Sequence, residues 1–356
     1  MAGSVLIVEG NPHGHRLGYV RLVARRAMER GLTPHVLTSH RTPEAPEWAV
    51  HLSEIVGQLT VHQTTSPRDL AEVAAAARRV GAVRTVIPDA DGFLRQVVRS
   101  GWRGPGRLSL LVMRPDAEPR RNRLLSTAAR LTKRALMSLA RRRRGVDEFA
   151  LRSPLRTRSE GLVRWVPDPV EIDREAIAAL ELPLPLREFS GAEWVGVFGY
   201  VDERKNLSVV ADAVERAGLG LLVAGIISPE AERRAAPLLA RLRENGRFLW
   251  FPGPLEDAFF DALINRADCV VAAHSNEGPS GIVARAAVLG RPLVLAGASS
   301  LRQDAACLPA QAVWVPLTAP ALAEALARSV RAPRSFEPPV ADAVEFADAL
   351  LSGGGR

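Results

Sequence analysis

Short apolar, β-branched runs alternate with amphipathic stretches twice along this chain, separated by a proline-rich interval, and no other feature limits its fold as strongly. In the first series strand-like runs fall at 5–8, 35–37, 59–62, 84–87 and 108–113, with helix-like stretches at 17–30 and 69–79. The second has strands at 194–198, 220–224, 247–251, 269–272 and 292–296, and helices at 207–216, 230–244, 258–266 and 281–289. Strands separated by helices pair in parallel, and the helices cover both faces of the sheet. Between the series, residues 155–186 lose periodicity and carry Pro167, Pro169, Pro183 and Pro185, which reads as an interdomain linker. The expected fold class is α/β, with two Rossmann-like, doubly wound domains. Their expected bounds are 1–168 and 169–338, followed by a C-terminal helix and tail at 339–356. A length of 356 residues, at about 150 per domain, agrees. Ligands of such sheets bind beyond the carboxyl ends of the strands, and a two-domain version places them in the cleft between.

Composition removes several function classes. With 47% apolar and 24% charged residues the chain is not a disordered one. Cys269 and Cys307 are the only cysteines, so a disulfide framework is excluded and a reducing cytoplasm fits. No Cys/His cluster has zinc spacing, and residues 1–9 read as a first strand rather than a signal or span. The net charge of +8 suggests nucleic acid until it is located: residues 114–144 hold eleven Arg/Lys against Asp116 and Glu118, leaving the remainder near neutral. A nucleic-acid binder would carry a basic surface along its length, with aromatic residues among the charges, and this segment has none. At 100° per residue Arg123, Arg130, Arg134 and Arg141 align beside an apolar stripe of Leu124, Ala128, Leu131, Ala135 and Leu139. Residues 120–144 therefore read either as a peripheral contact with an anionic membrane surface at its inner face, or as a solvated basic face whose stripe packs on the first domain.

Two segments carry candidate chemistry. Gly199-Tyr200-Val201-Asp202-Glu203-Arg204-Lys205-Asn206-Leu207 follows the first strand of the second series. Gly199 permits a sharp turn, and Arg204 and Lys205 put a planar fork and a compact charge where a diphosphate would be gripped. Asn276-Glu277-Gly278-Pro279-Ser280-Gly281-Ile282-Val283-Ala284-Arg285-Ala286 follows the strand at 269–272. Ser280 is a candidate helix cap, Gly281 and Ile282 open a helix whose N–H groups can hold a phosphate or sugar hydroxyl, and Glu277 can accept from hydroxyl donors. In the first series, Gly14 lets a ligand approach closely, and His15 and Arg16 read either as polar contacts or as an exposed turn. His13 reads as surface, Asp91 as an acceptor contact or helix cap, and His274 as a wall of the site or a satisfied loop histidine.

These residues resemble a known family. The segment from Gly199 to Leu207 is similar to the glycine-to-Arg-Lys-Asn segment of GT-B-fold glycosyltransferases of family 4. Glu277 through Gly290-Arg291-Pro292 is similar to their glutamate loop and helix, with support from Trp165-Val166-Pro167-Asp168-Pro169-Val170 and from Val315-Pro316-Leu317 before the helix-like 321–327. The resemblance implies a hexosyltransferase-like enzyme of carbohydrate biosynthesis that moves a sugar from a nucleotide-sugar donor to an acceptor hydroxyl with retention. It implies neither cofactor nor metal, the nucleotide sugar being a co-substrate, and a glycan or lipid-linked acceptor. Arg204, Lys205 and Glu277 would be catalytic. Gly199, Gly14, His15, Ser280, Gly281, Ile282 and Arg285 would bind substrate. One position departs: where the family has a second glutamate on the nucleotide ribose, this chain has Arg285, which cannot accept a hydrogen bond and can instead reach a phosphate or pair with Glu277. A catalytically degenerate nucleotide- or glycan-binding relative and a sugar-nucleotide epimerase of the same fold are the alternatives.

Overall fold

The computed structural model describes residues 3–13, 16–115, 123–156, 163–181, 193–334 and 342–352. The chain divides into two compact units: Met1–Arg152, Thr157–Pro169 and Ala341–Arg356 form the first, Ser153–Arg156 and Val170–Val340 the second. The first contains β1 (Ser4–Val8), α1 (Arg16–Glu29), β2 (Thr33–Ser39), α2 (Pro46–Leu52), β3 (Thr60–Thr64), α3 (Leu70–Arg79), β4 (Ala82–Ile87) and α4 (Leu94–Ser100). It continues with β5 (Arg107–Val112), α5 (Arg123–Arg141), β6 (Val146–Arg152) and β7 (Trp165–Pro167). The second unit starts with α6 (Arg174–Ala179), β8 (Trp194–Phe198), α7 (Leu207–Ala217), β9 (Gly220–Ala224), α8 (Pro229–Glu244), β10 (Phe248–Phe251) and α9 (Asp257–Arg266). It ends with β11 (Cys269–His274), α10 (Gly281–Val288), β12 (Leu293–Gly297), α11 (Ser299–Cys307), β13 (Ala312–Val315) and α12 (Ala319–Ser329), after which α13 (Ala343–Ser352) returns to the first unit.

Every strand pairing is parallel, in the orders β3-β2-β1-β4-β5-β6-β7 and β10-β9-β8-β11-β12-β13. Successive side chains of a strand point to opposite faces. In β8, Val195 and Val197 enter one core layer while Trp194 and Phe198 enter the other, and β1 divides Val5 and Ile7 from Leu6 and Val8 in the same way. Apolar residues on both faces are what a helix-covered parallel sheet needs, at about 1.5–3 kcal/mol per buried large side chain. In each sheet the strand order reverses beside the first strand, between β1 and β4 and between β8 and β11. The architecture is that of two Rossmann-like α/β units, as expected.

Besides short helices that the sequence reading did not include, such as α2, α4, α6 and α11, the following elements depart from it. Part of the supposed linker is β7, which adds an edge strand by pairing Ala150 with Trp165; three residues are too few to show periodicity, and an edge strand tolerates Pro167. Strand β6 was hidden by Asp147 and Glu148, both buried. Asp147 accepts from Arg84 Nη1 at 3.0 Å and Arg107 Nη2 at 2.7 Å. In α5 the face turned to the unit carries Leu136, Met137 and Ala140, whereas Leu131 is 61% and Leu139 45% exposed, with Ala128, Ala135, Arg130 and Arg134 exposed beside them. The stripe therefore does not pack on the first domain; it faces outward. Leu124 and its stretch of the helix carry no described side chains. Finally, α13 buries Phe346, Ala347, Leu350 and Leu351 in the first unit, where the Phe346 and Tyr19 ring centroids lie 5.0 Å apart. Asp348 accepts from Arg26 Nη2 at 2.9 Å, and Ser109 Oγ donates to the Leu350 carbonyl at 2.6 Å.

Candidate active site

Where β8 ends, the chain turns at Gly199 with φ +82°, a left-handed conformation that favours glycine. Asp202 then caps a short 3₁₀ turn, Glu203–Lys205, by accepting from the Arg204 backbone N–H at 3.1 Å. The same carboxylate accepts from Arg204 Nε at 2.8 Å and Nη2 at 2.6 Å. Asn206 follows at φ +49°, a conformation asparagine tolerates better than most residues. Its side-chain amide donates to the carbonyls of Arg204 at 2.9 Å and Ala273 at 2.8 Å. The loop is thereby tied to the carboxyl end of β11, and Ser275 N–H reinforces the tie by donating to the Arg204 carbonyl at 2.9 Å.

Two basic groups meet here. Lys205 Nζ donates to the Phe198 carbonyl at 2.6 Å, and burial, with Arg204 adding to it, lowers its pKa to about 8 against the pull of Asp202. His274 closes β11; burial, then the neighbouring Lys205 and Arg204 cations, push it down to about 3, so the imidazole is neutral at physiological pH. A small void of about 10 Å³ lies among Phe198, Lys205, His274 and Ile282. A Cβ placed on Gly199 would lie 3.4 Å from Lys205 Nζ and 3.9 Å from Ile282 Cδ1, so these three positions converge. Ile282 is in the first turn of α10, whose opening N–H groups have no partner within the helix. Ser280 occupies the cap position of α10 but makes no side-chain cap bond, and Gly281 is the helix's first residue.

The remaining expected residues lie elsewhere or are engaged. Glu277 accepts from Ser299 N–H at 2.8 Å, Ser299 Oγ at 2.9 Å and Ser300 N–H at 2.7 Å, so it caps α11. Burial would raise its pKa, but these bonds outweigh burial and hold it below the usual value. Arg285 is engaged by α9: its Nη1 donates to both Asp261 oxygens at 2.6 Å, and Asp257 lies 3.7 Å from Nη2. Positions 257 and 261 are one turn apart on α9, so both carboxylates face the α10 guanidinium. In the first unit Gly14 and His15 lie outside the described residues. Arg16 donates to Asp89 at 2.8 Å, and His13 Nδ1 lies 2.8 Å from Glu47. Asp91 does not cap a helix; it accepts from Met113 N–H at 3.0 Å and pairs with Lys133 of α5. Among the described residues no three His, Cys, Asp or Glu side chains gather so as to hold a metal.

The sequence reading missed Asp202 and Asp261 as partners of the two arginines. Asp202, two residues before Arg204, had the spacing of an Asx turn and was legible in principle. Asp261 was not, because its partner is 24 residues away.

No family model and no curated protein matches the chain. Solved structures do. A sucrose-phosphate synthase from Thermosynechococcus elongatus matches with a TM-score of 0.64 at 17% identity, over 98% of this chain and 95% of that one. Anabaena HepE, in complex with UDP and glucose, matches with a TM-score of 0.64 at 12% identity over 98% and 95%. A putative UDP-N-acetylglucosamine 2-epimerase from Listeria monocytogenes matches with a TM-score of 0.58 at 12% identity over 99% and 95%. The chain has the GT-B fold. At these identities the likeness concerns architecture.

Proposed function

We propose that this protein is a nucleotide-sugar-dependent glycosyltransferase, of the family 4 type, that moves a sugar to an acceptor hydroxyl with retention. The observation that carries the reading is the convergence of Arg204, Lys205 and the start of α10 beyond the carboxyl ends of β8 and β11, where the second sheet reverses its strand order. Asp202 occupies two of the five N–H donors of Arg204, and the Phe198 carbonyl one of the three on Lys205. The remaining donors, with the helix N-terminus, suit a diphosphate and would stabilise the charge that grows on it as its bond to the sugar breaks. Glu277, fixed on α11, supports this reading by holding the loop that opens α10, where it would contact the donor sugar. HepE binds UDP and glucose on the same architecture.

Thermal-shift screening with UDP, GDP and ADP, followed by incubation with the matching nucleotide sugars, tests the reading. Stabilisation by a nucleotide and acceptor-dependent release of the nucleoside diphosphate are expected. Arg204→Ala and Lys205→Ala should each reduce turnover at least tenfold while remaining folded, and unchanged kinetics in both would remove the site. The Arg285–Asp261 pair keeps a second reading in view, since no carboxylate stands at the ribose position. A nucleotide-binding relative without activity would show binding without turnover, and an epimerase would convert the nucleotide sugar with no acceptor present.

We further infer that α5 lies on an anionic membrane surface, which suits a lipid-linked acceptor. Its outward Leu131 and Leu139, flanked by Arg130 and Arg134, supply an apolar stripe and adjoining positive charge. No helix among the described residues is long and apolar enough to cross a membrane. Flotation with vesicles of anionic or zwitterionic lipid separates the outcomes: recovery with the anionic vesicles alone is expected, and equal recovery would end the idea.

A further inference from the structure

The first unit contains a pocket that the donor-side reading does not use. It has a volume of about 750 Å³ and opens over the carboxyl ends of β1, β2 and β3, within the usual range for small-molecule sites and in the usual place for a parallel α/β sheet. Its walls are braced. Gly10, at the end of β1, packs so closely on the loop after β3 that a Cβ there would come within 2.5 Å of Pro67. Thr42 Oγ1 donates to the Gly10 carbonyl at 2.9 Å and lies 2.7 Å from Ser39 Oγ. Gln96 accepts from Leu70 N–H at 2.9 Å and donates to the Arg68 carbonyl at 2.8 Å, fixing the third wall.

Two guanidinium groups belong to this frame. Arg41 and Arg68 both line the pocket and are exposed, and among the described residues neither side chain makes a hydrogen bond or an ion pair. Some arginines of the unit are tied down, Arg16 to Asp89, Arg26 to Asp348, Arg84 and Arg107 to Asp147. Others, Arg25, Arg95, Arg99 and Arg103, are exposed like Arg41 and Arg68, but of these exposed arginines Arg41 and Arg68 are the two on the pocket lining. The acidic group on the lining, Asp69, is engaged in capping α3 through Ala71 N–H at 2.9 Å, and His13 is turned to Glu47. Next to the lining residue Gly10, Glu9 is 5% exposed; one of its oxygens accepts from Asn11 N–H at 2.8 Å, the other is buried with no hydrogen-bond partner, and Arg68 is among the cations that act on its carboxyl. Unspent guanidinium donors recognise planar or tetrahedral oxyanions, and the hydroxyl and amide groups of Ser39, Ser66 and Asn11 suit a polyol.

We propose that this pocket binds a sugar carrying a phosphate or a carboxylate, with the anion between Arg41 and Arg68 and the hydroxyls on the Asn11, Ser39 and Ser66 side. That this ligand is the acceptor rests on the glycosyl-transfer reading; that it binds does not. Calorimetric titration with a panel of neutral hexoses, hexose 6-phosphates, hexuronates and inorganic phosphate tests the binding, with the nucleoside diphosphate as an independent probe of the second unit. At least one phosphorylated or carboxylated sugar should bind ten times more tightly than its neutral parent, and the phosphate and uronate arms show which anion is preferred. The double variant Arg41→Ala/Arg68→Ala, expected to melt where the parent does, should lose that tenfold preference and keep its nucleotide affinity. Equal binding of charged and neutral sugars, no binding across the panel, inorganic phosphate binding as well as any sugar phosphate, or an unaffected double variant would each overturn the proposal. Nucleotide binding lost with sugar binding retained would instead count against the donor site.

Discussion

Lys205 shows how one burial decides a chemistry. Its ammonium titrates near 8 because it is enclosed beside Arg204, so the cation that a diphosphate needs is present below that pH and fades above it. Affinity for a nucleoside diphosphate should fall several-fold between pH 7 and pH 9.5, and Lys205→Ala should bind weakly with a flat profile over this window. A flat profile in the parent protein would show that Lys205 does not face the ligand. Glu148 is a second residue whose environment sets its charge. Burial raises its carboxyl to about 7, against the lowering pull of Arg141 and Arg164. Its folded-state pKa lies above the unfolded one, so its contribution is lost as pH rises from about 4.5 through 7. Glu148→Gln should therefore unfold at a higher temperature than the parent at pH 8, by on the order of 2–3 kcal/mol, and almost equally at pH 4.5. Equal melting at both pH values would place the carboxylate in contact with water.

Elements explain which parts of the site could be read in advance. Although the left-handed Asn206 that ties the loop to β11 was not read in advance, the Gly199–Leu207 segment was legible because a glycine turn and two cations are local features of one loop. The fate of Arg285 was not, because it depends on α9 placing Asp257 and Asp261 opposite α10. That pair makes its own prediction: Arg285→Ala leaves Asp261 buried without its cation and should cost about 2–4 kcal/mol, whereas Arg285→Met with Asp261→Leu should recover most of it. Additive losses in a denaturant-based cycle would show that the two residues are uncoupled. In α5 the helical periodicity was plain, but periodicity cannot say which stripe faces inward, and the arginines flank a stripe that stays exposed. Leu131→Glu with Leu139→Glu should leave the melting temperature within about 2 °C, since no buried contact is lost, and abolish flotation with anionic vesicles.

On the scale of the whole molecule, strand alternation disclosed both sheets and the α/β class, since each strand needs apolar residues on both faces. What it could not disclose was long-range pairing: β6 was masked by Asp147, whose charge Arg84 and Arg107 neutralise, and by Glu148, whose carboxyl is pushed up by burial, and nothing local in α13 says which unit it joins. The return of α13 has a measurable cost attached. Phe346→Ala should destabilise the first unit by about 3–4 kcal/mol, and a chain ending at residue 342 should expose the Tyr19 side of that core to a hydrophobic dye; unchanged melting of the first unit would show that α13 is dispensable. Synthesis proceeds from the N-terminal side, yet the surface that covers α1 is encoded at 343–352. The whole second unit must therefore be made while the earlier sheet waits with one flank uncovered, a window in which chaperones would find their substrate.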